Sequence, residues 1–328
     1  MRRIGLITVL AVFLVLPALA VPAAAKAKTL KLGTTFPKAS PWGKVLAKMA
    51  KTVRKKSRGK LKIKIYYAGA QGDEVAMVDK LKRRKLHALA VTSVGLSYIY
   101  KDSLIFEMPG LVGDWSTLDQ FRKKLLPAIS KGIRKAGFRL MAHFDVGLVR
   151  YMSKRKKVTT PDDLRALKVF RWGDDPITPT ARSVIAFSGP KGALPGLHQL
   201  LLTGRVTAIA MPAALAVSFK WTSHLDHIAA NPVGVQVGGL LFSNRALSKL
   251  PRGLRNIVKR AARKAGKSLK KSIRRQDDRA YQRLRQTMTG YNQTSAWGAR
   301  FKAIRAKLKR SRVFDPALIA KAEALAGK

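Results

Sequence analysis

Few residues in this chain have both the type and the spacing that chemistry requires. His224 and His227 lie three apart with Asp226 between them, which on a helix offers two imidazoles to one metal ion. No second ligand pair accompanies them, so no metal and no cofactor is expected. Asp174 and Asp175 are adjacent carboxylates, but general acid–base work needs groups facing one another across a substrate. In the run Gly173-Asp174-Asp175-Pro176 they read as turn residues whose side chains bond the local backbone. The chain has no cysteine. Thiol catalysis, disulfides, cysteine-ligated zinc and a lipid-modified N-terminal cysteine are therefore excluded. No nucleophile elbow, phosphate-cradling glycine loop or zinc motif appears, so nothing argues for an enzyme.

What remains suits binding. Phe170 and Trp172 are two apart, hence on one face of a strand, and can line one wall of a pocket or pack in a core. Trp42 follows Ser40 at a helix start, where backbone N–H groups meet anions, and it is equally the first apolar residue of a core stripe. Trp221, after Lys220, can touch a ligand or be buried in the usual way of a tryptophan. Arg150, in a strand, is either a cation for a bound ligand or one more solvent-exposed arginine in a chain full of them.

The elements that would hold these residues alternate between strand and helix. Strands are expected at 30–34, 60–67, 88–91, 138–144, 147–152, 167–172, 208–211 and 236–243, separated by helices at 41–53, 74–84, 160–166, 179–187 and 196–202. Leu61, Ile63 and Ile65 alternate with Lys60, Lys62 and Lys64, a strand with one wet face. Thr160-Pro161-Asp162-Asp163 has the form of a capping box with proline at the first helical position. From Arg252 apolar residues recur three or four apart as far as Met288. One long helix ending near Gly290 is the economical reading, with Gly266 a possible break. A last helix carries Trp297, Phe301, Ile304 and Leu308. The chain is α/β.

Met1-Arg2-Arg3, the apolar run Ile4 to Leu19 and Ala23-Ala24-Ala25 form a secretory signal peptide over 1–25, which places the mature protein in the periplasm. No later run is long enough to span a bilayer. The 328 residues suffice for two domains. Lys and Arg number 66 against 17 Asp and Glu, a formal net charge of +49. Fourteen of those cations lie between Arg252 and Arg285. A basic amphipathic helix can hold polyanions or an anionic surface, the alternative function here. Yet the charge covers the whole chain with no nucleic-acid-binding motif, so no specific nucleic acid is expected and self-repulsion favours a monomer.

Five segments occur in the order seen in DctP-type solute-binding proteins of tripartite (TRAP) transporters, which the chain resembles from Leu30 to about Arg285. They are Lys31 to Pro37 with Ser40-Pro41-Trp42-Gly43, Tyr67 to Glu74, Thr160 to Trp172, Leu202 to Val206, and Phe219-Lys220-Trp221. The resemblance implies a two-domain periplasmic binding fold with a long helix running across both domains. Domain I would be 28–147 with 236–270, and domain II 148–235 with 271–328. It further implies an organic acid captured in the cleft and delivered to a TRAP membrane permease, without chemistry. Phe36, Trp42, Thr92, Arg150, Phe170, Trp172, Asp175, Met211 and Trp221 form the expected ligand-binding set. Such proteins place an arginine where this chain has Phe170, and an acid and an amide where it has Thr207 and Met211. With Leu194 in place of a phenylalanine, these departures predict an acid with a substantial apolar part.

Overall fold

The computed structural model describes residues 27–172 and 175–328. The expected signal peptide over 1–25 and the Asp174 half of the carboxylate pair lie outside the described residues. The described residues form ten strands: β1 (Lys28–Thr34), β2 (Leu61–Tyr66), β3 (Ala88–Thr92), β4 (Phe138–Ser153), β5 (Arg171–Trp172), β6 (Lys191–Gly192), β7 (Ala208–Pro212), β8 (His227–Ala229), β9 (Gly234–Ser243) and β10 (Thr289–Tyr291). Eight make one mixed sheet in the order β10-β8-β4-β9-β3-β1-β2, with β7 also on β4, while β5 and β6 pair separately. The lysines of β2 alternate with buried Leu61 and Ile63 on an edge strand, where charge discourages further strand addition.

Helices cover both faces of the sheet. Along β3, Ala88 and Ala90 join one core while Leu89 and Val91 join the other, as the two-residue period of a strand requires. The first core lies beneath the helix Pro41–Lys56 and a 36-residue helix, Arg252–Thr287. The second contains the helices Trp115–Lys135 and Ala296–Ser311. Strands β4 and β9 tie the halves of the sheet together. The start of β4 pairs with the end of β9, and β7 and β8 flank its end. The register of β4 on β9 shifts between Asp145 and Gly147, opposite Gln236 and Val237.

Several elements differ from expectation. The strands expected at 138–144 and 147–152 are one strand, because the shift at Gly147 is a bulge that bends pairing without ending it. Gly266 does not break the long helix. A methyl there would stand 2.5 Å from Ala142 Cβ, so glycine permits close approach to β4. That helix stops at Thr287, and Gly290 belongs to β10. Of the strand expected at 167–172, only Arg171–Trp172 is paired as a strand, with single bridges at Lys168 and Val169. The 3-10 helix Lys101–Glu107 and the helices Trp115–Lys135 and Pro316–Leu325 were not anticipated.

Candidate ligand cavity

A cavity of about 220 Å³ lies where β4, β9, the segment 169–172, the helix Ile177–Ile185 and the helix Ala296–Ser311 meet. Tyr151, Phe170, Trp172, Phe187 and Phe301 are the aromatic side chains of its wall, joined by Met211 and by valines and isoleucines. Concave sites lined by aromatic and aliphatic side chains with a few polar groups are where small organic ligands are held. Here the polar groups include Glu107, Asp175, Thr178 and Gln236. Among the described residues that line the cavity there is no lysine, arginine or histidine, in a chain of net charge +49.

Of the expected set, Phe170, Trp172, Asp175 and Met211 border this cavity; Phe36, Trp42, Thr92, Arg150 and Trp221 do not. Trp42 is fully buried, stacked on Phe36 with ring centroids 4.9 Å apart, and its indole N–H donates to the Asp145 carbonyl at 3.2 Å. The core stripe, rather than the helix start, sets its position. Trp221 is likewise fully buried, stacked on Phe219 at 4.9 Å. Thr92 is enclosed, its hydroxyl donating to Glu74 at 2.7 Å. Leu194, 1 % exposed, belongs to the core and is not part of the wall.

Arg150 is not among the residues that line this cavity, although it stands directly opposite Met211 in the pairing of β4 with β7. Its guanidinium lies 4.0 Å from the centroid of the Tyr281 ring on the long helix. It is held in the protein interior, 6 % exposed.

Asp175 borders the cavity but spends its carboxylate on structure. It accepts from the Ile177 and Thr178 amides at 2.9 and 2.8 Å and from the Thr178 hydroxyl at 2.6 Å, fastening the start of the helix Ile177–Ile185. Glu107, Thr178 and Gln236 are polar residues of the wall that sequence reasoning missed, and Thr178 is already bonded to Asp175. Glu107 ends the 3-10 helix Lys101–Glu107, and its Oε1 accepts from the Val237 amide at 2.9 Å and from the Ser93 hydroxyl. Burial drives its pKa up to about 8, against the pull of those two hydrogen bonds. Below it Glu74, also buried, is pushed up to about 7 by burial although Thr92 donates to both of its oxygens. Gln236 is 5 % exposed, and its Oε1 has no hydrogen-bond partner among the described residues. A lone acid in the apolar run Leu104-Ile105-Phe106-Glu107-Met108, and a lone amide between Val235 and Val237, were the available signals. His224 packs against His198 at 4.9 Å, and no group of three metal-ligating side chains occurs among the described residues.

The cavity can enclose an apolar body and hydrogen-bond one polar end. Residues 32–311 match the family model for DctP, the bacterial extracellular solute-binding protein family 7. Solved structures of the same fold include a TRAP periplasmic solute-binding protein from Bordetella bronchispeptica with density assigned as pantoate. It is 19% identical with a TM-score of 0.81, over 90% of this chain and 98% of the other. A TRAP protein from Sulfurospirillum deleyianum with bound succinate is 16% identical, with a TM-score of 0.82 over 91% and 99% of the two chains. One from Desulfovibrio salexigens with bound orotic acid is 18% identical, with a TM-score of 0.80 over 91% and 98%.

Proposed function

The chain belongs to the bacterial extracellular solute-binding proteins of family 7, the DctP family, and from that membership we propose a specific task. It is a periplasmic receptor that captures an organic acid with an apolar body between its two halves and hands it to a TRAP membrane permease, binding without chemistry. The observation that carries the ligand class is the wall itself: Phe170 and Met211 stand at the cavity, side by side with Trp172 and Tyr151. Burying ligand carbon against such a wall contributes about 25 cal/mol per Å² before association costs, so affinity should follow the apolar area of the acid.

Capture requires that the ligand favour one arrangement of the halves over another. The division 28–147 with 236–270 and 148–235 with 271–328 places the boundary at the β4 bulge and its partner Gln236, where a bend is least costly to the ladder. No helix among the described residues is long and apolar enough to cross a membrane. An exported, monomeric chain cleaved near Lys26 fits this reading, and intact-mass measurement of the periplasmic fraction should find residues 1–25 absent.

A thermal-shift panel tests the ligand class. Branched-chain and aromatic monocarboxylates should raise the melting temperature more than succinate and its hydroxylated relatives. Stabilisation by the small diacids alone would overturn the reading.

A further inference from the structure

We propose that Glu107, with Gln236 beside it, receives the ligand's acid group by sharing one proton with it, in place of the ion pair that a basic side chain would make. The proposal rests on the acid-receptor reading above. An ionised carboxylate cannot be taken into an apolar cavity without a partner that satisfies it. No lysine, arginine or histidine is among the described residues of this wall, and the guanidinium of Arg150 is stacked on the Tyr281 ring, 4.0 Å from its centroid.

Glu107 has the geometry of a donor. Its Oε1 already accepts from Ser93 and Val237, while Oε2 has no hydrogen-bond partner among the described residues and the side chain borders the cavity. The proton of the neutral acid therefore belongs on Oε2. The charged neighbours favour this state. Glu74, from the helix Glu74–Lys82, and Asp175, ahead of the helix Ile177–Ile185, are both acids that disfavour ionisation of Glu107. Tyr151 on β4 is held neutral by burial. Behind the wall Arg305 donates to the Pro109 carbonyl and pairs with Glu323 at 3.2 Å. Two facing carboxylates cannot both ionise there, whereas one proton between them makes a charge-assisted O–H···O⁻ bond. Gln236 can turn either end of its carboxamide to the second ligand oxygen, which gives a nine-tenths-buried unpartnered group its purpose.

Protons balance in two regimes. Where Glu107 is already neutral, the ligand anion binds and no proton moves. Above its pKa of about 8, each anion bound takes one proton from solvent, so affinity falls.

The test is calorimetric titration of the full mature protein with pantoate, isovalerate and phenylacetate from about pH 6 to pH 10, with phenethylamine as the cationic counterpart. For each acid that binds, Kd should be flat to about pH 7 and rise about tenfold per unit above about pH 8. Repeating the titration near pH 9 in buffers of different ionisation enthalpy should show one proton taken up per ligand. Glu107→Gln, a permanently neutral donor, should flatten the profile, and Glu107→Ala should weaken acid binding at least about tenfold near pH 6. The buffer experiment needs no variant, so it decides the matter even if both variants misfold. A flat or improving Kd above pH 8, zero proton uptake, or tighter binding of phenethylamine than of every acid overturns proton sharing. If none of the acids binds at any pH, the acid-receptor reading itself has failed and this proposal falls with it.

Discussion

At Phe170 and Trp42 two large aromatic side chains, both expected to line the site, have different surroundings. Phe170 borders the cavity, whereas Trp42 is fully buried between Phe36 and the Asp145 carbonyl. Phe170→Ala should therefore weaken binding of an apolar acid by about tenfold, the equivalent of roughly 50 Å² of lost apolar contact. Trp42→Ala should cost about 3 to 5 kcal/mol in chemical denaturation. Ligand selectivity in the surviving Trp42→Ala fold should stay that of the parent; a change in selectivity would put Trp42 back at the site. Phe170, Trp172 and Met211, which border the cavity, stand out in sequence because alternation in a strand and position in a family segment are local signals. Trp42 and Trp221 could not be separated from the wall, since a tryptophan in a core and one in a cleft have the same neighbours in sequence. Arg150 does not line this cavity because its guanidinium is stacked on Tyr281, a contact with a distant helix that nothing in its own segment announces. Glu107 escaped because its significance arises only when the 3-10 helix Lys101–Glu107, β9 and the segment after β3 converge.

The elements show where punctuation misleads. Glycine normally weakens a helix interior by about 1 kcal/mol relative to alanine, so Gly266→Ala would stabilise a free helix. Here the added methyl meets Ala142 on β4, and overpacking should reverse the sign, costing about 1 to 3 kcal/mol. Combining it with Ala142→Gly should recover part of that loss in urea denaturation; additive losses would contradict the close approach. Gly147 has a left-handed φ of 153°, and a side chain there would collide with Pro212 and Asp277. In sequence that glycine resembles the end of a strand, yet β4 continues through it. Asp277 fixes this crossing, accepting from the Leu148 and Ala214 amides at 2.9 Å each, so the long helix grips both β4 and the helix Ala213–Ser218. The helix Trp115–Lys135 had a legible signal, with Asp114 as its cap and Leu118, Phe121, Leu125, Ile129 and Ile133 at helical spacing.

Over the whole molecule, fold class and family were legible because they rest on the order of many loosely specified segments, which tolerates single substitutions. The polar end of the site was not, because it rests on two residues. The buried acids also set the response to pH. Burial raises Glu74 to about 7, Glu107 to about 8 and Asp277 to about 6, all above their unfolded values, so the folded state holds these protons more tightly. Their contribution to stability is present in acid and is lost as pH rises through about 6 to 8. Asp119 works in the other direction: burial raises it, but hydrogen bonds from Arg274 and Lys270 outweigh that and hold it at about 2, so its contribution is lost only as pH falls below about 4. Thermal melts should peak between about pH 4 and 6 and decline toward pH 8; a maximum near pH 8 would contradict these burials. The +49 charge should give retention on a sulfated resin at low ionic strength that disappears near physiological salt, as screening of exposed cations requires; retention that survives would favour the polyanion-binding alternative. The claim on which the rest depends is that an acid enters an apolar cavity that offers it a carboxyl and no cation. A crystal structure of the complex with the best-bound acid of the panel tests it most directly. The ligand's apolar body should lie against Phe170, Trp172 and Met211, with its carboxyl in hydrogen-bond contact with Glu107 and Gln236. A ligand carboxylate paired with any lysine or arginine, or seated outside this cavity, would contradict it.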